Sequence, residues 1–177
     1  KIGWIKAVVH RPIIGKIKTV TVSNVSTGKY YASILCDDEI IAVKPQNHFT
    51  EVVGIDLGLK DFAITSDGDK IPNPHFTKRA AKNLKIKQRK LSKKQKTSRK
   101  RSKAKLLVAK AHEKIKNARN DFQHKLSKHI ADKNQAVGVE TLKVKNMLKN
   151  RKLSKAISDA AWSSFILKLE YKLIEKG

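Results

Sequence analysis

The chain is poor in cysteine, poor in aromatic residues and, over one long stretch, devoid of negative charge. A single cysteine, Cys36, excludes an internal disulfide and a cysteine-based zinc site, so zinc is not expected within this chain. Its surroundings read as a strand, where a small buried hydrophobe fits. No apolar run reaches the roughly 18 residues of a membrane-spanning helix. No charged, apolar and small-residue succession of a signal peptide opens the chain. A membrane is therefore not an expected partner, and a reducing, intracellular setting is. Aromatics make up 6% of the residues. Trp4, Tyr30, Tyr31 and Trp162 are spaced as core residues rather than as a platform for stacked bases. No glycine-rich phosphate loop is present, and the six histidines form no i, i+4 pair around an acid. Between Asp69 and Glu113 there is no acidic residue at all.

What the chain has instead is positive charge. Forty Lys and Arg stand against 15 Asp and Glu, a formal net charge of +25 over 177 residues. Such an excess repels itself unless a polyanion neutralises it. Nucleic acid is the natural partner, because every neutralised phosphate releases counterions; an anionic membrane surface is the weaker alternative. Lys78, Arg79, Lys82, Lys85, Arg89, Lys93, Lys94, Lys96, Arg99, Lys100 and Arg101 carry most of the density. Lys149, Arg151 and Lys152 form a second cluster. The bland alternative for the long run is a solvated helix face.

Two stretches break the pattern. Val52–Gly58 alternates as a strand does, with Val53, Ile55 and Leu57 on one face and Gly54, Asp56 and Gly58 on the other. Ala136–Thr141 repeats the design: Val137, Val139 and Thr141 against Ala136, Gly138 and Glu140. Each strand thus ends in a carboxylate flanked by small residues, and glycine within a strand often marks a close approach. Asp56 and Glu140 are the candidate metal ligands, since hard cations such as magnesium take carboxylate oxygens. Each acid taken singly reads equally as a strand-end cap or a partner of lysine.

The rest of the chain supports one domain and a piece of another. Short strands are expected over Trp4–Val9, Ile17–Ser23 and Tyr30–Cys36, as a small antiparallel sheet or part of a barrel. A polar linker at Lys44–His48 places the boundary there, giving units 1–49 and 50–177. In the second unit Asp61–Thr65 is a strand, and Ser66–Asp69 signals a type I′ hairpin turn. Residues 77–133 read as a helical hairpin, its clearer helix running from about Ser102 to Lys133. The stripe Leu107, Ala111, Ile115, Ala118, Phe122, Leu126 and Ile130 is its core face. A last helix carries Ile157, Trp162, Phe165, Ile166, Leu169 and Leu173 on one side.

Several of these segments together resemble TnpB, the RNA-guided nuclease family of bacterial and archaeal insertion sequences, related to the compact type V CRISPR effectors. They are Gly54–Ala63, Ser66-Asp67-Gly68, the basic helices, Val139–Leu142, and Met147–Asn150 through Ile157–Trp162. The resemblance implies an α/β, RNase H-like (RuvC) core with a long basic hairpin over about 77–133. His10-Arg11-Pro12 and Gly15–Lys18 resemble the later part of that family's wedge β-barrel. It implies Asp56 and Glu140 as the first two catalytic acids, two magnesium ions in the full-length protein, guide RNA and target DNA as partners, and the prokaryotic cytoplasm as location. The family's third aspartate and zinc ribbon are expected beyond Gly177, and the chain looks truncated at both ends. Activity of this chain by itself is accordingly left open. A non-cleaving nucleic-acid binder is the alternative, and a basic protein bound to ribosomal RNA is a weaker third reading.

Overall fold

A computed structural model describes residues 3–10, 12–37 and 48–176. The chain divides into two compact units, 1–41 and 42–177. The boundary between them, like Arg11 and the polar linker up to residue 47, lies outside the described residues.

In the first unit, β1 (Lys16–Asn24) and β2 (Tyr30–Asp37) form a two-stranded antiparallel ribbon. Val25 C=O accepts from Gly28 N–H, and Gly28 takes the left-handed conformation at φ 81°. No strand forms over residues 4–9. Trp4, Tyr30 and Tyr31 are exposed rather than core; Tyr30 and Tyr31 lie on a two-stranded ribbon that has no second layer over it among the described residues. Cys36 is half-buried.

The second unit is a mixed α/β layer. Its strands are β3 (Val52–Leu57), β4 (Asp61–Thr65), β5 (Lys70–Pro72) and β6 (Ala136–Val139), in the order β5-β4-β3-β6. The first three form an antiparallel meander, and β6 pairs with β3 in parallel. Parallel pairing requires a crossover connection. It is supplied by α1 (Phe76–Ser92) and α2 (Arg99–Lys133). After β6 come α3 (Val144–Met147), α4 (Ser154–Ala160) and α5 (Trp162–Ile174).

The predicted alternation of β3 is observed: Val53, Ile55 and Leu57 are buried and the residues between them exposed. Their side chains join Phe62, Ile130, Ala131, Ile157, Trp162, Phe165 and Leu169 in one core. Phe62 is its hub, edge-on to Phe122 at 5.1 Å and to Phe165 at 5.2 Å. Edge-to-face pairs add about 0.5–1.5 kcal/mol each beyond area burial.

Four expectations are corrected. The turn after β4 is not type I′, since Asp67 does not take a positive φ. Thr65 C=O accepts from Gly68 N–H, and Gly68 alone is left-handed, at φ 89°. The loop has three residues, so only the last must be left-handed. Next, α2 starts at Arg99, capped by Ser98, whose side chain accepts from Arg101 N–H. Of its stripe only Ile115 and Ile130 are fully buried, Phe122 and Leu126 pack half-buried against the core, and Leu107 is 52% exposed. Polar Gln123 and Ser127 are wholly buried within it. Finally, the last helix is two. It breaks at Ala161, left-handed at φ 52°, which turns α5 so that Trp162, Phe165 and Leu169 face the core.

Candidate functional site

Parallel register assembles the site. Val52 pairs with Ala136, Val53 with Val137, Gly54 with Gly138 and Ile55 with Val139. Glu140 follows directly on the end of β6, and carrying the register one residue further would bring it beside Asp56. Neighbouring strands lie about 4.8 Å apart, and both acids are exposed on the face opposite the core. Two rungs below, Gly54 and Gly138 face each other on the same side. A Cβ at Gly138 would meet nothing within 4 Å, and one at Gly54 only Ser66 Cβ at 3.7 Å. The surface leading to the acids is therefore bare backbone. Gly58 is different: a Cβ there would stand 2.8 Å from the Asp61 carbonyl oxygen. It serves the β3–β4 turn rather than an approach to Asp56.

The register is clamped at the other end of the strands. Gln135 Oε1 accepts from Thr50 N–H at 2.9 Å and from the Thr50 hydroxyl at 3.2 Å. The backbone N–H groups of Gln135 and Ala136 both donate to Glu51 C=O. Ser66 Oγ accepts from Gly54 N–H at 3.1 Å, which fixes the middle of β3 against the β4 turn.

Asp159 stands in a different network. Its carboxylate accepts from Thr77 N–H at 2.9 Å, from the Thr77 hydroxyl at 2.6 Å and from Arg119 Nη2 at 2.9 Å. It ties the start of α1, the middle of α2 and α4 together. These partners give Asp159 a structural role at the junction of the three helices. Sequence reasoning missed three other polar groups of the same region. Gln123 Nε2 donates to the Ala160 and Ala161 carbonyls at 3.0 and 3.1 Å, satisfying the break between α4 and α5. Lys168 donates to Ser164 Oγ and Gln123 Oε1, and Lys172 to Ser127 Oγ and His124 C=O. The available signal was the four-residue spacing of Gln123 and Ser127 inside an apolar stripe, matched by Lys168, Lys172 and Lys176. Burial lowers the pKa of both Lys168 and Lys172; for Lys172 the neighbouring Lys168 adds to it. Burial, then Lys172 and Lys168, lower that of His124.

The basic run lies on α1, the connecting loop and the first turns of α2. Fifteen Lys or Arg fall between residues 78 and 105. At 1.5 Å per residue, α2 is about 52 Å long, and its unburied N-terminal half pairs with α1 as an arm. Lys78, Arg79, Lys82, Lys85, Arg89, Lys93, Lys94, Lys96, Arg99 and Lys100 are all exposed. Arg101 is spent otherwise: its Nη1 donates to the carbonyls of Leu91 and Lys94, closing the loop. Lys149, Arg151 and Lys152 are exposed between α3 and α4. Among the described residues no helix is long and apolar enough to cross a membrane.

The arrangement defines a mixed α/β protein with a cationic helical arm. Comparison with known proteins gives it a family. The model of the OrfB_IS605 family, described as "Probable transposase", matches residues 16–151, a span containing both acids and the whole arm. The chain belongs to this family, as the TnpB resemblance of its motifs implied. It is 45% identical over 154 residues, 87% of its length, to a Streptomyces pristinaespiralis protein named "Putative RNA-guided DNA endonuclease". It is 31% identical over its full length to "Putative RNA-guided DNA endonuclease InsQ" of Escherichia coli (strain K12). The chain spans 38% and 47% of the lengths of these two relatives.

Proposed function

We propose that this chain is the part of an RNA-guided DNA endonuclease that carries the first two acids of an RNase H-like (RuvC) metal site and a basic arm for nucleic acid. On this reading residues 1–49 belong to a wedge-like barrel and residues 50–177 to the nuclease domain. The observation that carries it is the in-register parallel pairing of β3 and β6 up to Ile55 and Val139, the residues immediately before Asp56 and Glu140, which supports a shared site for the two acids. A three-stranded meander whose first strand gains a parallel neighbour through a helical crossover suits the first four strands of such a core. The names of the two relatives support the same activity.

The donors suit magnesium, which binds through one or two carboxylates and keeps the rest of its shell for water and phosphate. Asp56 and Glu140 would hold it. When bound, the metal supplies polarisation of the phosphodiester and a more acidic water. The chain's own contribution is positional. The Gly54–Gly138 rung leaves room for a sugar–phosphate strand to lie flat on the sheet. The arm and the Lys149–Lys152 cluster hold phosphates of guide RNA or of a guide–target duplex by charge and shape.

The alternative is a nucleic-acid binder that does not cleave. Among the described residues no group of three His, Cys, Asp or Glu gathers at one point. Two tests separate the readings. Mn2+ titration of the chain, read by paramagnetic broadening, should show a site lost in Asp56→Asn and in Glu140→Gln; broadening unchanged in both variants overturns the metal site. A polypeptide of the relatives' length should cut labelled DNA with magnesium and not with EDTA. Retention of cutting by Asp56→Ala would remove this residue from catalysis.

A further inference from the structure

Between the end of α1 and the start of α2 lies a cleft of about 270 Å³. Five lysines border it: Lys87 and Lys90 from α1, Lys94 from the loop, Lys100 and Lys103 from α2. Ala104 and Leu107 complete the lining. The exposed lining is chiefly carbon, because lysine stems wall the slot while their ammonium heads reach outward. Leu107 belongs to the apolar stripe of α2, yet it is 52% exposed here, where the arm has left the core.

Both features cost stability without a ligand. Five like charges around one opening repel, and no acidic residue between Asp69 and Glu113 is available to relieve them. Arg99, Lys100 and Arg101 also occupy the first turn of α2, which has no acid. Cations there oppose the helix dipole. A phosphate would offset the repulsion, and a flat apolar body would cover Leu107. A nucleotide unit offers the two together. Accessibility favours strand over duplex. At about 270 Å³ the slot has room for one base, and only an unpaired base can turn out of its stack to enter it.

We infer that the cleft seats one unpaired nucleotide of a single strand, its base against Ala104 and Leu107 and its flanking phosphates on the five lysines. This rests on reading the arm as a nucleic-acid binder, and makes the arm selective for unpaired strand over duplex.

The test is fluorescence anisotropy at fixed salt. Probes are a single-stranded oligonucleotide, the same strand with abasic sites, and a blunt duplex. Leu107→Gln removes the apolar contact, and Ala104→Leu fills the slot; neither alters charge. Each should weaken single-strand binding about five- to tenfold, the scale of one lost base contact. Duplex binding should change less than twofold, and the abasic strand should bind wild type as weakly as the intact strand binds the variants. Equal losses on strand and duplex, or an abasic strand that binds as well as the intact one, overturn the cleft assignment. Complete displacement of the strand by a millimolar nucleoside monophosphate would assign the cleft to free nucleotide instead. Neutralising Lys78, Lys82, Lys85 and Lys96, outside the cleft, should lower the log–log salt slope by several units. A slope that does not move shows that the arm itself is only a solvated face, a failure separate from that of the cleft.

Discussion

Asp159→Ala should unfold the second unit more readily without touching Asp56 or Glu140. The substitution deletes one carboxylate and with it three hydrogen bonds, from Thr77 N–H, from the Thr77 hydroxyl and from Arg119. Loss of a cap at a helix start costs about 1 kcal/mol. Removing one partner of a buried ion pair costs about 3–5 kcal/mol. Here the Arg119 side chain is 23% exposed and that of Asp159 9%, so water screens part of the loss and about 2–3 kcal/mol is the fitting share. Arg119 Nε, already buried and without a partner, leaves the guanidinium with little else to hold it. The total is about 3–4 kcal/mol. With a urea slope of about 2 kcal/mol per M, the midpoint should fall by roughly 1.5–2 M. Arg119→Ala should cost less in the Asp159→Ala background than alone, a coupling of about 1–3 kcal/mol. Asp159→Asn keeps an acceptor oxygen and should lose about half as much. The reasoning fails if the Asp159→Ala midpoint moves less than about 0.3 M, or if the variant keeps its stability and loses Mn2+ broadening. The second result would make Asp159 a metal ligand.

Two further outcomes follow from the α2–α5 seam. Ala161→Gly should raise stability by about 1 kcal/mol, since a left-handed L-residue costs about 1–2 kcal/mol and glycine adds chain entropy on unfolding; a lower urea midpoint would refute this. His124 has a lowered pKa, so the unfolded chain binds its proton more readily. Stability should therefore fall as pH drops through the ordinary histidine value near 6.5. His124→Gln should flatten that fall in urea midpoints taken between pH 7.5 and 5, and an unchanged slope would exclude this residue as its cause.

Much of the site could be read in the sequence because strand periodicity is a local property. Alternation alone put Asp56 opposite Val53, Ile55 and Leu57, and the same pattern put Glu140 opposite Val137 and Val139. That the two strands would be neighbours and in register was not local, and depended on a crossover of more than sixty residues. The exposed aromatics of the first unit were misread for the same kind of reason. Trp4, Tyr30 and Tyr31 have core spacing, but spacing does not say whether a second layer is there to cover them. The break at Ala161 left no mark because alanine is the strongest helix former. It is held by Gln123, 38 residues away, and only tertiary contact makes that glutamine different from any other polar residue in a helix.

The Gln135 clamp has a consequence for how this chain can change. In a parallel pair, a slip of one residue turns every side chain to the opposite face. Deleting or inserting a single residue between the end of α2 and Ala136 would swing Glu140 toward the core and bring Thr141 or Val139 abreast of Asp56. Both acids would still be present in the gene, and any search for them by sequence would find them. The phase of the ladder is decided at Thr50, Glu51 and Gln135, five or six residues from the carboxylate on the same strand. Small length changes in that hinge therefore silence the pair as surely as removing it, and leave the sequence looking intact.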